Sequence, residues 1–168
     1  MLERVKINNA DELFLAALAS ALRLEKTVEK MLGTLAEEAQ SAELTQQLRH
    51  HREETQAQIR NLQQVFRALG KEPDESPCLP IEGIEKQSQV LLKLSDDSLK
   101  DDVILAGCAE TEHLEVAVYE NLIVHAGAMG HEDVVALLRE NLEQEQHTLG
   151  EILKATLAHA QREAAASR

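Results

Sequence analysis

All three prolines of this 168-residue chain fall in one stretch, KEPDESPCLP, at Pro73, Pro77 and Pro80. Proline removes a backbone donor and breaks helix interiors. On either side of the stretch the chain runs free of it, dominated by Ala, Leu, Glu and Gln, which lose little rotamer freedom in a helix. Aromatics amount to two Phe and one Tyr, without Trp. An all-α chain follows, split by one loop and long enough for one domain with a core of its own.

The first long helix starts at an Asn9 cap, with Glu12 as capping-box partner. Phe14, Leu18, Leu22, Val28 and Leu32 recur at the spacing of one buried stripe. The chain turns near Gln40, Ser41 caps the second long helix, about residues 42–69, and Gly70 ends it. The prolines mark the loop, a short helix spans about 81–94, and SDDSLKDD reads as a solvated turn and acidic cap. A third long helix, about 99–128, carries Val103, Leu105, Cys108, Ala109, Val116, Tyr119 and Ile123 as its apolar positions. Gly130 marks a reversal into a last helix from Glu132 to beyond Leu157. The core is expected over 9–158, with 159–168 frayed. The connection between the second and third long helices can cross the bundle, so those two could run parallel in a ferritin-like four-helix bundle with a short extra helix.

A net charge of −13 argues against nucleic acid, whose phosphates need clustered Lys and Arg. No stretch reads as a signal core or membrane span, and the two cysteines, Cys78 and Cys108, fit no zinc or redox spacing. A soluble, cytoplasmic protein is expected, with Cys108 in the core and Cys78 a loop thiol.

Most of the 23 Glu fall on solvated faces. Four do not: Glu25, Glu112 and Glu145 stand where a stripe calls for Leu, and Glu54 lies beside one, with His51 a turn before it. Glu25 and Glu54 straddle the first turn evenly, and Glu112 and Glu145 straddle the second. If both turns lie at the same end, all four carboxylates meet about 22–25 Å from it, at ~1.5 Å rise per residue. Glu115 shares a face with Glu112, whereas His113 points elsewhere. Buried unpaired carboxylates are costly, and two divalent metals would satisfy such a cluster. Oxygen-rich ligands with one imidazole suit iron or manganese better than zinc. His50, His125, His131, His147 and His159 read as exposed or capping.

The stretches LEKTVEKML, HHREETQAQIRNLQQVF, PCLPIEGI, AETEHLEVAVYENL and GHEDVVALLRENLEQEQ together resemble the YciE/YciF family of ferritin-like stress proteins, over about residues 9–155. The resemblance implies a homodimer of bundles, each with a rubrerythrin-like dinuclear site. The ligands it implies are Glu25, His51, Glu54, Glu112, Glu115 and Glu145, holding two iron ions, with manganese or zinc as alternatives. The usual E-x-x-H pattern is missing, since Ala57 follows Glu54 and Thr148 follows Glu145 at that spacing. No four-cysteine rubredoxin-type module is present to donate electrons. A di-iron protein with oxidase- or peroxidase-type chemistry under stress is one expectation. The alternative is a non-enzymatic dimeric stress protein whose core glutamates are structural. A DNA-protecting mini-ferritin fits poorly, because no basic tail is present.

Overall fold

The structure, a computed structural model, describes residues 6–166. It is a ferritin-like four-helix bundle of α1 (Ala10–Glu38), α2 (Ala42–Ala68), α4 (Lys100–Ala128) and α5 (Glu132–Ala166). The shorter α3 (Leu79–Leu94) and a single 3-10 turn (Asp97–Leu99) lie in the connection between α2 and α4.

The helix ends follow local chemistry. Asn9 Oδ1 accepts the Glu12 N–H at 2.9 Å, and Ser41 Oγ accepts that of Leu44 at 3.3 Å. The return bond of the Glu12 carboxylate goes to the Asn8 N–H, one residue before the cap, at 2.7 Å. Gly70 and Gly130 close α2 and α4 with φ of 68° and 78°, the left-handed region where a Cβ is penalised. α3 begins earlier than the sequence predicts, because Pro80 is tolerated in a first helical turn. Cys78, expected as a loop thiol, is instead buried at the start of α3, against Ile81 and the second apolar cluster. The tail expected to fray continues α5 as far as Ala166. Residues 167–168 lie outside the described residues.

Asp101 sets the topology. Its carboxylate accepts the N–H groups of Gln40 at 2.7 Å and Ser41 at 3.0 Å, tying the start of α4 to the α1–α2 turn. Lys100 pairs with Glu38 at 3.0 Å, and His159 on α5 lies 2.9 Å from Asp102 at that same end. α2 and α4 therefore start together and run parallel, and the α4–α5 turn lies at the opposite end. This corrects the condition that both turns share an end. The carboxylates still meet at one level, because Glu25, Glu54 and Glu112 each stand near the middle of a helix of similar length.

Two apolar clusters fill the bundle. One joins Phe14, Leu18, Leu22, Phe66, Leu122 and Leu138 near the α4–α5 turn. The other joins Val28, Leu32, Leu48, Ile81, Ile104 and Leu105 toward the α1–α2 turn. Burying each such side chain stabilises by about 1.5–3 kcal/mol. On α2 His51, Thr55 and Gln58, and on α4 Thr111, Glu112 and Glu115, fall in sequence between the two clusters, and on α1 Glu25 lies where the two meet.

The inward face of α4 differs from the predicted stripe. Ile104, Leu105, Cys108, Glu112, Glu115, Tyr119, Leu122 and Ala126 are buried, whereas Val103, Ala109, Val116 and Ile123 are half-buried. α3 packs along α4 and α1, so α4 carries apolar residues on two sides and its pattern has no single stripe. Among the described residues no helix is long and apolar enough to cross a membrane.

Candidate metal centre

α2, α4 and α5 each turn polar side chains into the layer between the apolar clusters. His51, Glu112, Glu115 and Glu145 each offer one ligand atom, and these atoms all lie within 4.8 Å of one another. All four residues are buried. His51 Nε2 is 2.9 Å from Glu112 Oε1, and its Nδ1 is 3.6 Å from Glu54 Oε2. Glu54 stays 24 % exposed in its side chain, at the rim of the group rather than in it.

Glu25, wholly buried on α1, completes the layer. Its Oε1 accepts the phenol hydrogen of Tyr119, leaving Oε2 without a partner. Asn141 Nδ2 donates to the Tyr119 oxygen at 3.0 Å and to the Gln58 carbonyl at 3.3 Å, and its Oδ1 accepts from Asn61 at 2.8 Å. Glu112 Oε2 and both oxygens of Glu115 and of Glu145 also lack hydrogen-bond partners.

The electrostatics follow from that crowding. Burial lifts the Glu25 carboxyl to about 7, against the Tyr119 hydrogen bond and the His51 charge, which favour the anion. Burial, reinforced by neighbouring carboxylates, pushes Glu115 and Glu145 well above the ordinary range. For His51, burial disfavours the cation, but the carboxylates of Glu112 and Glu54 outweigh it and raise the imidazole to about 9. Burial and Glu112 push the Cys108 thiol up to about 12, so it lines the site as a neutral wall.

The unpartnered oxygens test the fit of a metal pair. Several carboxylate oxygens from three helices, away from water and facing one another, need protons or cations to offset their desolvation. Carboxylates and one imidazole form a donor set that suits iron or manganese. Two divalent ions fit this chemistry.

The structure brings His51, Glu112, Glu115 and Glu145 together, sets Glu25 beside them through its charge on Glu115 and Glu145, and leaves Glu54 at the edge. Sequence reasoning missed the supporting residues: Tyr119 counted only as apolar, and Gln58 and Asn141 were not singled out. A signal was present. Gln58 follows Glu54 by four residues, Tyr119 follows Glu115 by four and Asn141 precedes Glu145 by four, so each shares a face with an acidic neighbour.

Comparison with known proteins agrees with this architecture. The family model described as a domain of unknown function, DUF892, matches residues 9–165. Protein YciF of Escherichia coli strain K12 is 27 % identical over 146 residues, covering 86 % of this chain and 88 % of its own. The solved structure of YcfI from Rhodopseudomonas palustris, for which a structural role has been suggested, superposes with a TM-score of 0.85. Its identity is 33 %, over 90 % of this chain and 97 % of that one. The crystal structure of the E. coli stress protein YciF shares the fold, with a TM-score of 0.87 at 24 % identity over 92 % of this chain and 99 % of its own. The resemblance to YciE/YciF proteins read from the motifs thus holds, and the chain belongs to the DUF892 family.

Proposed function

We propose that this protein binds two divalent metal ions, iron foremost and manganese or zinc as substitutes, in the layer between its apolar clusters. One observation carries the reading: buried, unpartnered carboxylate oxygens converge with one imidazole within 4.8 Å. Glu25, His51, Glu112, Glu115 and Glu145 would hold the pair, with Glu54 reaching in from the rim. A bound iron pair would supply two-electron chemistry toward peroxide or oxygen under stress. The protein's own part is to exclude water with the leucine layers above and below, to orient Glu25 through Tyr119, and to hold a proton on His51 until metal displaces it. Working as a homodimer in the cytoplasm fits this reading. Anaerobic Fe(II) titration should saturate near two ions per chain and weaken in Glu25→Ala; no uptake by the wild type would end the proposal.

The raised carboxyls of Glu25, Glu115 and Glu145 favour a second reading, in which shared protons satisfy the cluster and the glutamates are structural. The role suggested for the R. palustris relative points the same way. On this reading Glu112→Gln stabilises the metal-free fold or leaves it unchanged, and metal addition changes nothing.

A further inference from the structure

The buried layer is closed to solvent on most sides, which raises the question of how an ion reaches it. A void of about 10 Å³ beside Glu112 is walled by Val28, Met31, Leu32 and Leu35, too small for a hydrated ion. A cavity of about 130 Å³ between α1 and α4 touches Leu24, Cys78, Val118 and Leu122 but no carboxylate.

The cavity between α2 and α5 is different. It measures about 190 Å³, and His51 of the buried cluster forms part of its wall. At its outer edge stand His50, His147 and Glu151, all exposed, with half-buried Glu54 between them and His51. The edge residues form two pairs at the same spacing: His50 with Glu54 on α2, and His147 with Glu151 on α5. Residues four apart share a helix face, so each pair presents an imidazole and a carboxylate side by side. His50 Nε2 lies 3.5 Å from Glu54 Oε1, and His147 is close enough for its charge to act on both Glu54 and Glu151. Glu151 is held by Lys154 at 2.9 Å, an exposed ion pair that costs little to exchange. Inside, His51 Nδ1 has no hydrogen-bond partner, and Leu44, Leu48, Leu105 and Ile152 line the rest.

We infer that this cavity is a loading port, where His50, Glu54, His147 and Glu151 capture a divalent cation and pass it through Glu54 and His51 to the buried glutamates. The inference rests on the two-metal reading above and adds a route and a second, weaker site. Two imidazoles and two carboxylates are donors for a borderline divalent ion such as Fe(II), Co(II) or Zn(II). The acidic surface of a chain of net charge −13 concentrates such ions at the rim. Glu54 fits the position of a carrier: it touches the rim through His50 and the interior through His51.

Stopped-flow mixing of the full chain with Co(II), followed by the visible absorption of the bound metal, tests the route. His147→Ala combined with Glu151→Gln should fill the centre to the wild-type stoichiometry but about tenfold more slowly. His113→Ala, exposed elsewhere, should load like the wild type. Equal rates in the rim variant overturn the port and leave the buried centre standing. A wild type that takes up no Co(II) overturns both. Because the replaced residues are exposed, the variant's helicity and melting should match the wild type; if they do not, His50→Ala is measured in its place. Capture is read separately with Glu115→Gln and Glu145→Gln together, which disable the centre. Co(II) should then still broaden the His50 and His147 ring proton resonances, and unbroadened resonances reject the rim site.

Discussion

The phenol of Tyr119 on α4 donates its hydrogen to Glu25 on α1, and Asn141 on α5 donates to the same phenol oxygen at 3.0 Å. Three helices are locked in one buried layer by a single hydroxyl. The bond uses one oxygen of Glu25 and leaves the other free. Removing the hydroxyl strands Glu25 Oε1, at a cost of roughly 1–3 kcal/mol, and leaves Asn141 Nδ2 only its bond to the Gln58 carbonyl.

Tyr119→Phe should therefore lower the urea midpoint of the metal-free protein by an amount equivalent to about 2 kcal/mol. It should also weaken Co(II) binding by about tenfold or more, as loss of a residue that orients a ligand commonly does. The two measurements separate packing from orientation. A variant that is less stable but binds Co(II) as tightly as the wild type would show that Tyr119 only fills space.

Glu115 has the opposite character, a buried carboxylate with neither oxygen partnered. Glu115→Gln keeps the shape and removes the possibility of charge. At neutral pH the metal-free variant should be as stable as the wild type or more stable, by up to about 1–3 kcal/mol, while losing metal affinity. Chemical unfolding with and without EDTA distinguishes the cases. A clear loss of stability in the metal-free variant would mean that the Glu115 carboxylate makes bonds it does not make here.

Features set by a few neighbouring residues were legible in the sequence. The caps at Asn9 and Ser41 and the left-handed glycines at 70 and 130 are local devices, and the helix ends fall on them. The inward placement of Glu25, Glu112, Glu115 and Glu145 was legible from the stripes, even though only Leu105, Cys108 and Tyr119 of the apolar positions read on α4 are fully buried. What escaped depends on distant parts of the chain. α3 covers the second side of α4, so periodicity on α4 carries no direction. Asp101 looks like an acidic helix start, and only the fold brings Gln40 and Ser41 to its carboxylate. Tyr119 and Asn141 take their meaning from each other across two helices.

Asp101 itself carries a prediction. It is buried, and both its oxygens accept backbone N–H groups of the α1–α2 turn. Its position in the first turn of α4 also suits a negative charge. Asp101→Ala should lower unfolding stability by about 2–4 kcal/mol, since two backbone donors lose their partners. The glutamate layer lies well down the helices from this turn, so metal stoichiometry should be unaltered. Thermal melting together with metal analysis checks both halves, and loss of metal without loss of stability would contradict the assignment.

The buried titrations give a pH dependence with a definite sign. Glu25 rises from an ordinary value of 4.5 to about 7 in the folded chain, so the folded state holds a proton that the unfolded chain has released. Stability therefore falls as pH rises through this interval, and Glu115 and Glu145, shifted the same way, extend the fall upward. His51 is raised from 6.5 to about 9, so its stabilising contribution is complete below 6.5 and is lost as pH climbs to about 9. Surface carboxylates such as Glu29, lowered by Gln56 and Arg52, pull the other way but are solvated and screened. At ~1.4 kcal/mol per unit, Glu25 alone makes the decline on the order of 3 kcal/mol. The melting temperature of the metal-free protein should drop steadily from pH 5 to pH 9. Metal reverses the trend, because its ligands must be deprotonated: affinity should rise with pH, and loading at pH 6 should release protons into a weak buffer. Melting curves at three pH values, with Co(II) and with EDTA, show both trends in one series. A metal-free melting temperature that stays level or rises toward pH 9 would mean that the glutamates are ionised and paired in the folded chain.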